Sequence, residues 1–188
     1  SSTTALSDRF VDLVEEGVDA AVRVGRLPSS NLIARRLATV RSLICASPAY
    51  LERRGVPATA HELARHDCLG YRYSSTRDEW EFSTPDGQAL RVAVRCDFHA
   101  NNGDVLCAAA IGGEGIVALP TFICAPAIAR GELVVLLPDW PLPELGVHVV
   151  YPSRRYLSAK VRALLDFLGA AITDPPAWEA PLAAPVRA

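Results

Sequence analysis

An α/β fold is what this chain of 188 residues predicts. Three observations lead there. Short apolar or alternating runs such as VDAAVRVG, LGYRY, GIVALP and GVHVVYPS have the period of strands. They take turns along the chain with segments such as NGDVLCAAAIGG and YLSAKVRALLDFLGAAI, whose apolar residues recur every three or four positions. Half of the residues are apolar and 21% are charged, which supports one compact domain or two small lobes with real cores and excludes a disordered chain.

Taken in order, residues 8 to 17 predict a short amphipathic helix, with Asp8 as N-cap, Phe10, Val11 and Val14 on one face, and Gly17 as the stop. Residues 18 to 25 read as a buried strand that ends in the loop from Gly25 to Ser30. LIARRLATVRSLICAS is one long strand or two joined ones. Pro48 suits the first turn of a helix, where its missing N–H costs little, and that helix should end near Gly55. HELARHDC suggests a helical turn before the strand LGYRY. Residues 76 to 100 form a hairpin pattern, two alternating runs around Pro85, Asp86 and Gly87.

Helix NGDVLCAAAIGG, strand GIVALP and a helix TFICAPAIARGEL ending at Gly131 follow. The strands LVVLLP and GVHVVYPS flank a proline-rich loop around Trp140. The strongest helix pattern, YLSAKVRALLDFLGAAI, holds Leu157, Val161, Leu164, Leu165 and Leu168 in register. From Thr173 onward, proline, alanine and Trp178 predict a tail without regular structure.

Charge and cysteine usage narrow the function. A net charge of −2 offers no basic field for a polyanion, so nucleic acid is not expected to bind this chain directly. The five cysteines are odd in number and scattered, with no C-x-x-C pair, which predicts free, mostly buried thiols and a cytoplasmic setting. His61 and His66 are five apart, off the face that a metal-binding histidine pair shares on a helix. No serine or cysteine sits in a recognisable nucleophile elbow. The sequence therefore predicts no catalytic residues, no metal and no cofactor. No apolar run is long enough for a membrane span, and no secretory leader is seen.

One junction stands out. Asn101, Asn102 and Gly103 separate a strand pattern from a helix pattern. The amides are either a plain cap, worth about 1 kcal/mol, or the floor of a ligand site. GGEG at 112 to 115 closes a helix and opens a strand, the reverse of a dinucleotide loop, and reads as a C-cap and tight turn.

SDRFVDLVEEGVDAAVRVGRLPSSNLIARRLATVRSLICASPAYLERRG, NNGDVLCAAAIGGEGIVALPTFI, GELVVLLPDW and VVYPSRRYLSAKVRALLDFL together resemble the effector-binding domain of LysR-type transcriptional regulators, over roughly residues 5 to 170. The resemblance implies two Rossmann-like lobes joined by two crossovers, as in type 2 periplasmic binding proteins, with a small effector in the cleft between them. By it, residues 1–42 plus 154–174 form a truncated first lobe, 43–153 the second lobe and 175–188 the tail. The crossovers fall near Val40 to Ser47 and Tyr151 to Leu157. A complete regulator begins with a winged helix-turn-helix, and the domain itself with a strand and helix; this sequence contains neither.

The same resemblance turns the asparagine junction toward the cleft, where free N–H groups and a positive dipole end suit a carboxylate. One asparagine then caps while the other points outward, and Gly103 admits a ligand close to the backbone. Pro120, Thr121 and Phe122 are delivered to the same cleft, Thr121 either capping the next helix or donating to ligand. Arg26 is the candidate cationic partner for an acidic effector. The implied partners are a small carboxylate effector, a second copy of the chain (a dimer or tetramer pairing Asp8–Gly17 with Asn102–Gly112), and DNA only through a domain outside this sequence. A solute-binding protein of a transport system with the same fold is the alternative.

Overall fold

A computed structural model describes residues 13, 17–25, 27, 31–74, 76, 78–84, 86–152, 158–173 and 176–182. Arg26, most of the expected helix at 8 to 17 and residues 153–157 of the expected Tyr151–Leu157 crossover lie outside them.

The continuous run from Leu32 to Ala46 resolves into two strands, because its ends serve different sheets. Strand β1 (Ala21–Val24), β2 (Leu32–Val40) and β10 (Leu145–Pro152) make an antiparallel sheet in the order β1-β10-β2. Strand β3 (Ser42–Ala46) leaves after the single residue Arg41 and enters a five-stranded sheet, order β7-β4-β8-β3-β9, with β4 (Asp67–Tyr71), β7 (Arg95–Ala100), β8 (Ile116–Pro120) and β9 (Val134–Leu136). In it β4 runs parallel to β7 and β8, and β3 antiparallel to β8 and β9.

Three expectations need correction. The second lobe was expected to extend to residue 153, yet β10 pairs residue by residue with β1 and β2, so the chain has returned to the first sheet by Leu145. A run of apolar residues does not say which sheet it will join. The hairpin was expected to use the whole run to Ala100. Only β5 (Glu79–Ser83) and β6 (Ala89–Ala93) pair in it; at Val94 the chain turns and β7 joins β4 instead. The tail was expected to be irregular, but Ala177–Leu182 form a short 3-10 helix, because Trp178 and Glu179 find tertiary partners.

Helix α1 (Pro48–Arg54) is capped by Ser47, whose Oγ accepts from the Tyr50 N–H, and ends at Gly55, whose φ of 83° favours glycine. Helices α2 (Gly103–Ile111) and α3 (Thr121–Ala129) follow β7 and β8 directly. They pack over one side of the large sheet, where Cys45, Leu69, Leu106, Val117, Leu119, Cys124 and Leu133 form a core. The opposite side is sealed by the hairpin, α1 and a 3-10 helix at Ala60–Arg65 through Trp80, Phe82, Val92, Tyr50 and Leu63 against Ile116 of β8. The helix of the strongest pattern, α4 (Ala159–Ala171), lays Val161 and Leu165 against Val149 and Tyr151 of the first sheet. No helix among the described residues is long and apolar enough to cross a membrane.

Candidate functional site

Parallel pairing puts the carboxyl ends of β7, β4 and β8 on one edge of the large sheet, the edge where open α/β sheets take ligands. Asn101, Asn102 and Gly103 start α2 there, and Pro120, Thr121 and Phe122 start α3. The antiparallel pair Ser42–Pro120 brings Arg41 to the same edge. Of the residues expected from sequence, these six share one place; Arg26 lies outside the described residues.

The two asparagines have different surroundings. The Asn102 side-chain oxygen accepts from the backbone N–H of Asp104 at 2.9 Å and of Val105 at 3.1 Å, satisfying two first-turn donors of α2. Asn101 is exposed. Gly103 is buried, and a Cβ there would come 2.5 Å from Ile123 Cδ1, so its missing side chain lets α2 and α3 approach each other. Gly113, at φ 86°, and Gly115, where a Cβ would lie 2.5 Å from the Asp67 carbonyl oxygen, end α2 and open β8, as the GGEG reading expects.

Thr121 does not cap α3, whose N-cap is Pro120 with no side-chain hydrogen bond. Its backbone N–H donates to the Arg41 carbonyl at 2.9 Å. Its hydroxyl donates to Glu179 Oε1 at 2.8 Å, and Arg41 closes on Oε2 of the same carboxylate from Nε at 2.9 Å and Nη2 at 2.7 Å. The Glu179 side chain is only 10% exposed, whereas that of Arg41 is 54% exposed. Burial pushes the Glu179 carboxyl upward, but the hydrogen bonds from Arg41 and Thr121 and the Arg41 charge outweigh it and hold the group below the ordinary carboxylate value.

Beside this pair, Trp178 meets Phe122 edge-on with ring centroids 6.1 Å apart and rests on a small core of Ala38, Val40 and Val147. Its Nε1 is buried and has no hydrogen-bond partner among the described residues. Sequence reading missed Arg41, Trp178 and Glu179. The one local signal is that Arg41 interrupts an apolar run, LATV-R-SLICA.

Two other groupings lie elsewhere. A hollow of about 390 Å³ is lined by Arg53, Arg54, Glu62, Arg65 and His66 and shares no residue with this edge. Asp78, Cys96 and His99 bring their ligand atoms within 4.8 Å of one another. A bulge at Asp97 sets Cys96 and His99 on one face of β7, and Gly70 leaves room for the imidazole. The Cys96 thiol is pushed up to about 12 by burial and by the Asp78 carboxylate, so it is a neutral thiol near neutral pH. All five cysteines are free.

A mixed sheet covered on both sides, by α2 and α3 on one and by α1 and the hairpin on the other, and linked through single-residue and strand crossovers to a second small sheet, is the architecture of the type 2 periplasmic-binding-protein class. Comparison with known proteins narrows this to a family. The family model described as LysR substrate binding domain matches residues 1–173. The chain belongs to that family, the effector-sensing portion of LysR-type regulators. It is 38% identical over 161 residues to the HTH-type transcriptional regulator PtxR of Pseudomonas aeruginosa, covering 86% of this chain and 51% of the relative. It is 37% identical over 158 residues to an uncharacterised HTH-type transcriptional regulator of Haemophilus influenzae, covering 84% and 54%. Among solved structures, the regulatory domain of CrgA from Neisseria meningitidis aligns with a TM-score of 0.73 at 34% identity, covering 84% of this chain and 76% of that one. Full-length AphB of Vibrio cholerae aligns with a TM-score of 0.75 at 29% identity, covering 88% and 56%. The chain spans about half the length of the curated relatives it matches.

Proposed function

We propose that this chain senses a small carboxylate on behalf of a LysR-type transcriptional regulator of the cytoplasm, whose DNA-binding part lies outside the sequence. The observation that carries the reading is the convergence of two helix starts, Asn101–Gly103 and Pro120–Phe122, on one edge of a parallel sheet in a chain of this family. The exposed Asn101 amide, the partly exposed Phe122 ring and the α2 dipole end offer polar donors beside an aromatic surface. Arg26, two residues beyond β1 in sequence, is the further cation this reading assigns to an acidic effector.

The domain acts by binding rather than by catalysis and takes no cofactor. Effector occupancy shifts the arrangement of the two sheets and so the geometry in which an oligomer presents its DNA-binding domains. The outer face of α2, with Val105 48% exposed, pairs with the 8–17 segment of a second copy in a dimer. A transport solute-binding protein is disfavoured, since the relatives are transcriptional regulators.

The test is a thermal-shift screen of small carboxylates against the purified chain. A ligand present at 100 times its dissociation constant stabilises the folded state by about 2.7 kcal/mol. The proposal expects such a ligand, with its effect lost on Phe122→Ala. A screen in which neutral sugars or amines stabilise the protein and carboxylates do not overturns the ligand class.

A further inference from the structure

The polar contacts of Glu179 have the form of a bound ligand. One carboxylate oxygen takes a hydroxyl hydrogen bond and the other takes a guanidinium hydrogen bond from Nε beside an ion-pair contact with Nη2, in a place nine-tenths closed to solvent. The donors come from residues 41 and 121, and the acceptor from the last described segment of the chain. We propose that Arg41 and Thr121 form a carboxylate site, that the C-terminal 3-10 helix occupies it as an internal plug, and that an external aromatic carboxylate binds there by displacing the tail. The proposal rests on the effector reading above and adds the anchoring residues, the ligand class and the competitor.

The ligand class follows from what the tail now fills. The pair presents a guanidinium to one oxygen and a hydroxyl to the other, which matches the two oxygens of a carboxylate. Next to the carboxylate, an indole is held between Phe122 on one side and Ala38, Val40 and Val147 on the other. A ligand that removes the tail must refill that apolar space, so it carries a ring next to its acid group.

Displacement is favoured by how lightly the tail is built. It is a single six-residue 3-10 helix, a kind of short segment that opens at low free-energy cost. Its indole N–H is buried with no partner among the described residues, a deficit that opening relieves. The position also gives the exchange a consequence. Arg41 is the one residue between β2 of the first sheet and β3 of the second, and Trp178 touches residues of both β2 and α3. A plug here ties the two sheets together, and a free ligand in its place does not carry the tail's covalent tether.

Competition sets the size of the effect. A ligand that binds only the open form has its apparent dissociation constant raised by the reciprocal of the open fraction. A plug closed about nine-tenths of the time therefore weakens binding about tenfold. The experiment uses the full chain and Glu179→Gln, which keeps the side-chain shape and removes the charge, with Trp178→Ala as a second way to loosen the plug. Benzoate and indole-3-acetate are titrated by calorimetry, and hydrogen exchange of residues 176–182 is followed with and without each probe.

At least one probe is expected to bind either variant about tenfold or more tighter than the unchanged chain, to lose that binding when Arg41→Met is added, and to speed exchange of residues 176–182 in the unchanged chain. Equal affinity in the unchanged chain and both variants overturns the plug, as does binding without faster exchange in the tail. A Glu179→Gln protein that melts earlier but binds the probes unaltered shows a structural brace only. Binding that depends on Phe122 and ignores Glu179 leaves the effector reading standing while this inference falls. Failure of both probes to bind any of these proteins removes the aromatic-carboxylate class along with the plug.

Discussion

Replacing Asn102 by alanine separates the two roles the asparagine junction was expected to play. Its side-chain oxygen holds the N–H groups of both Asp104 and Val105, so alanine leaves two first-turn donors without a side-chain acceptor. Loss of an asparagine cap costs about 1 kcal/mol within a range of roughly 0.5 to 2, and a cap serving two donors belongs in the upper half, near ~1.5 kcal/mol. For a protein of this size, 1 kcal/mol moves the melting temperature by about 2 to 4 °C, so Asn102→Ala should melt roughly 3 to 6 °C lower. Asn101→Ala removes an exposed amide and should stay within about 0.5 kcal/mol. Asn102→Asp keeps the acceptor at a positive helix end and should melt close to the unchanged protein. Circular-dichroism melts at neutral pH measure all three. Should Asn101→Ala cost as much as Asn102→Ala, or Asn102→Asp melt as low as Asn102→Ala, the cap does not work through the two hydrogen bonds on which this reasoning depends.

Gly115→Ala drives a Cβ to 2.5 Å from the backbone oxygen of Asp67 and should cost about 1 to 3 kcal/mol; Gly103→Ala meets only the end of the Ile123 side chain and regains about 1 kcal/mol of helix propensity. Urea denaturation that ranks Gly103→Ala as the worse of the two refutes the geometry. Phe82→Ala empties a fully buried position between hairpin and sheet, and should lower the unfolding free energy by about 3 to 5 kcal/mol, so a loss under about 1 kcal/mol in the same assay counts against the hairpin's place in the core. Burial, followed by the Arg54 charge, holds the His66 imidazole below its ordinary 6.5. The unfolded chain thus takes up a proton there that the folded chain refuses, and stability should fall as pH drops from 6.5 toward the folded value. His66→Asn should flatten that part of the stability–pH curve, and an unchanged slope would place the effect elsewhere.

The elements that sequence could name are those whose signal is local. Strand β8 and helix α4 declare themselves by run length and by period, α1 by Ser47-Pro48 and Gly55, and the hairpin tip by Asp86-Gly87. Each signal lies within a few residues of its consequence. The sheet that β10 joins, the turn that takes β7 away from β6, and the bulge that puts Cys96 and His99 on one face are all settled by distant partners. The candidate site divides the same way. A cap at Asn101 or Asn102 was readable because a cap's acceptor and donors lie two and three residues apart, as they do at Asn102, whereas Arg41 and Glu179 meet across 138 residues of chain. No periodicity relates two such positions, and a proline- and alanine-rich tail offers no pattern to suggest that Glu179 is buried.

The single residue between β2 and β3 has a mechanical meaning. At that crossing the main chain has only the two soft torsions of Arg41 to absorb a change of angle between the sheets, since peptide bonds stay planar. Its carbonyl is held by the Thr121 N–H, so the pivot is fastened to the first residue of α3. A swing of the first sheet about this point must carry Thr121 along or part that bond. The crossing therefore works as a keyed joint rather than a free string: the angle between the two sheets is read out, at the pivot, as the position of the hydroxyl on which the tail's carboxylate rests.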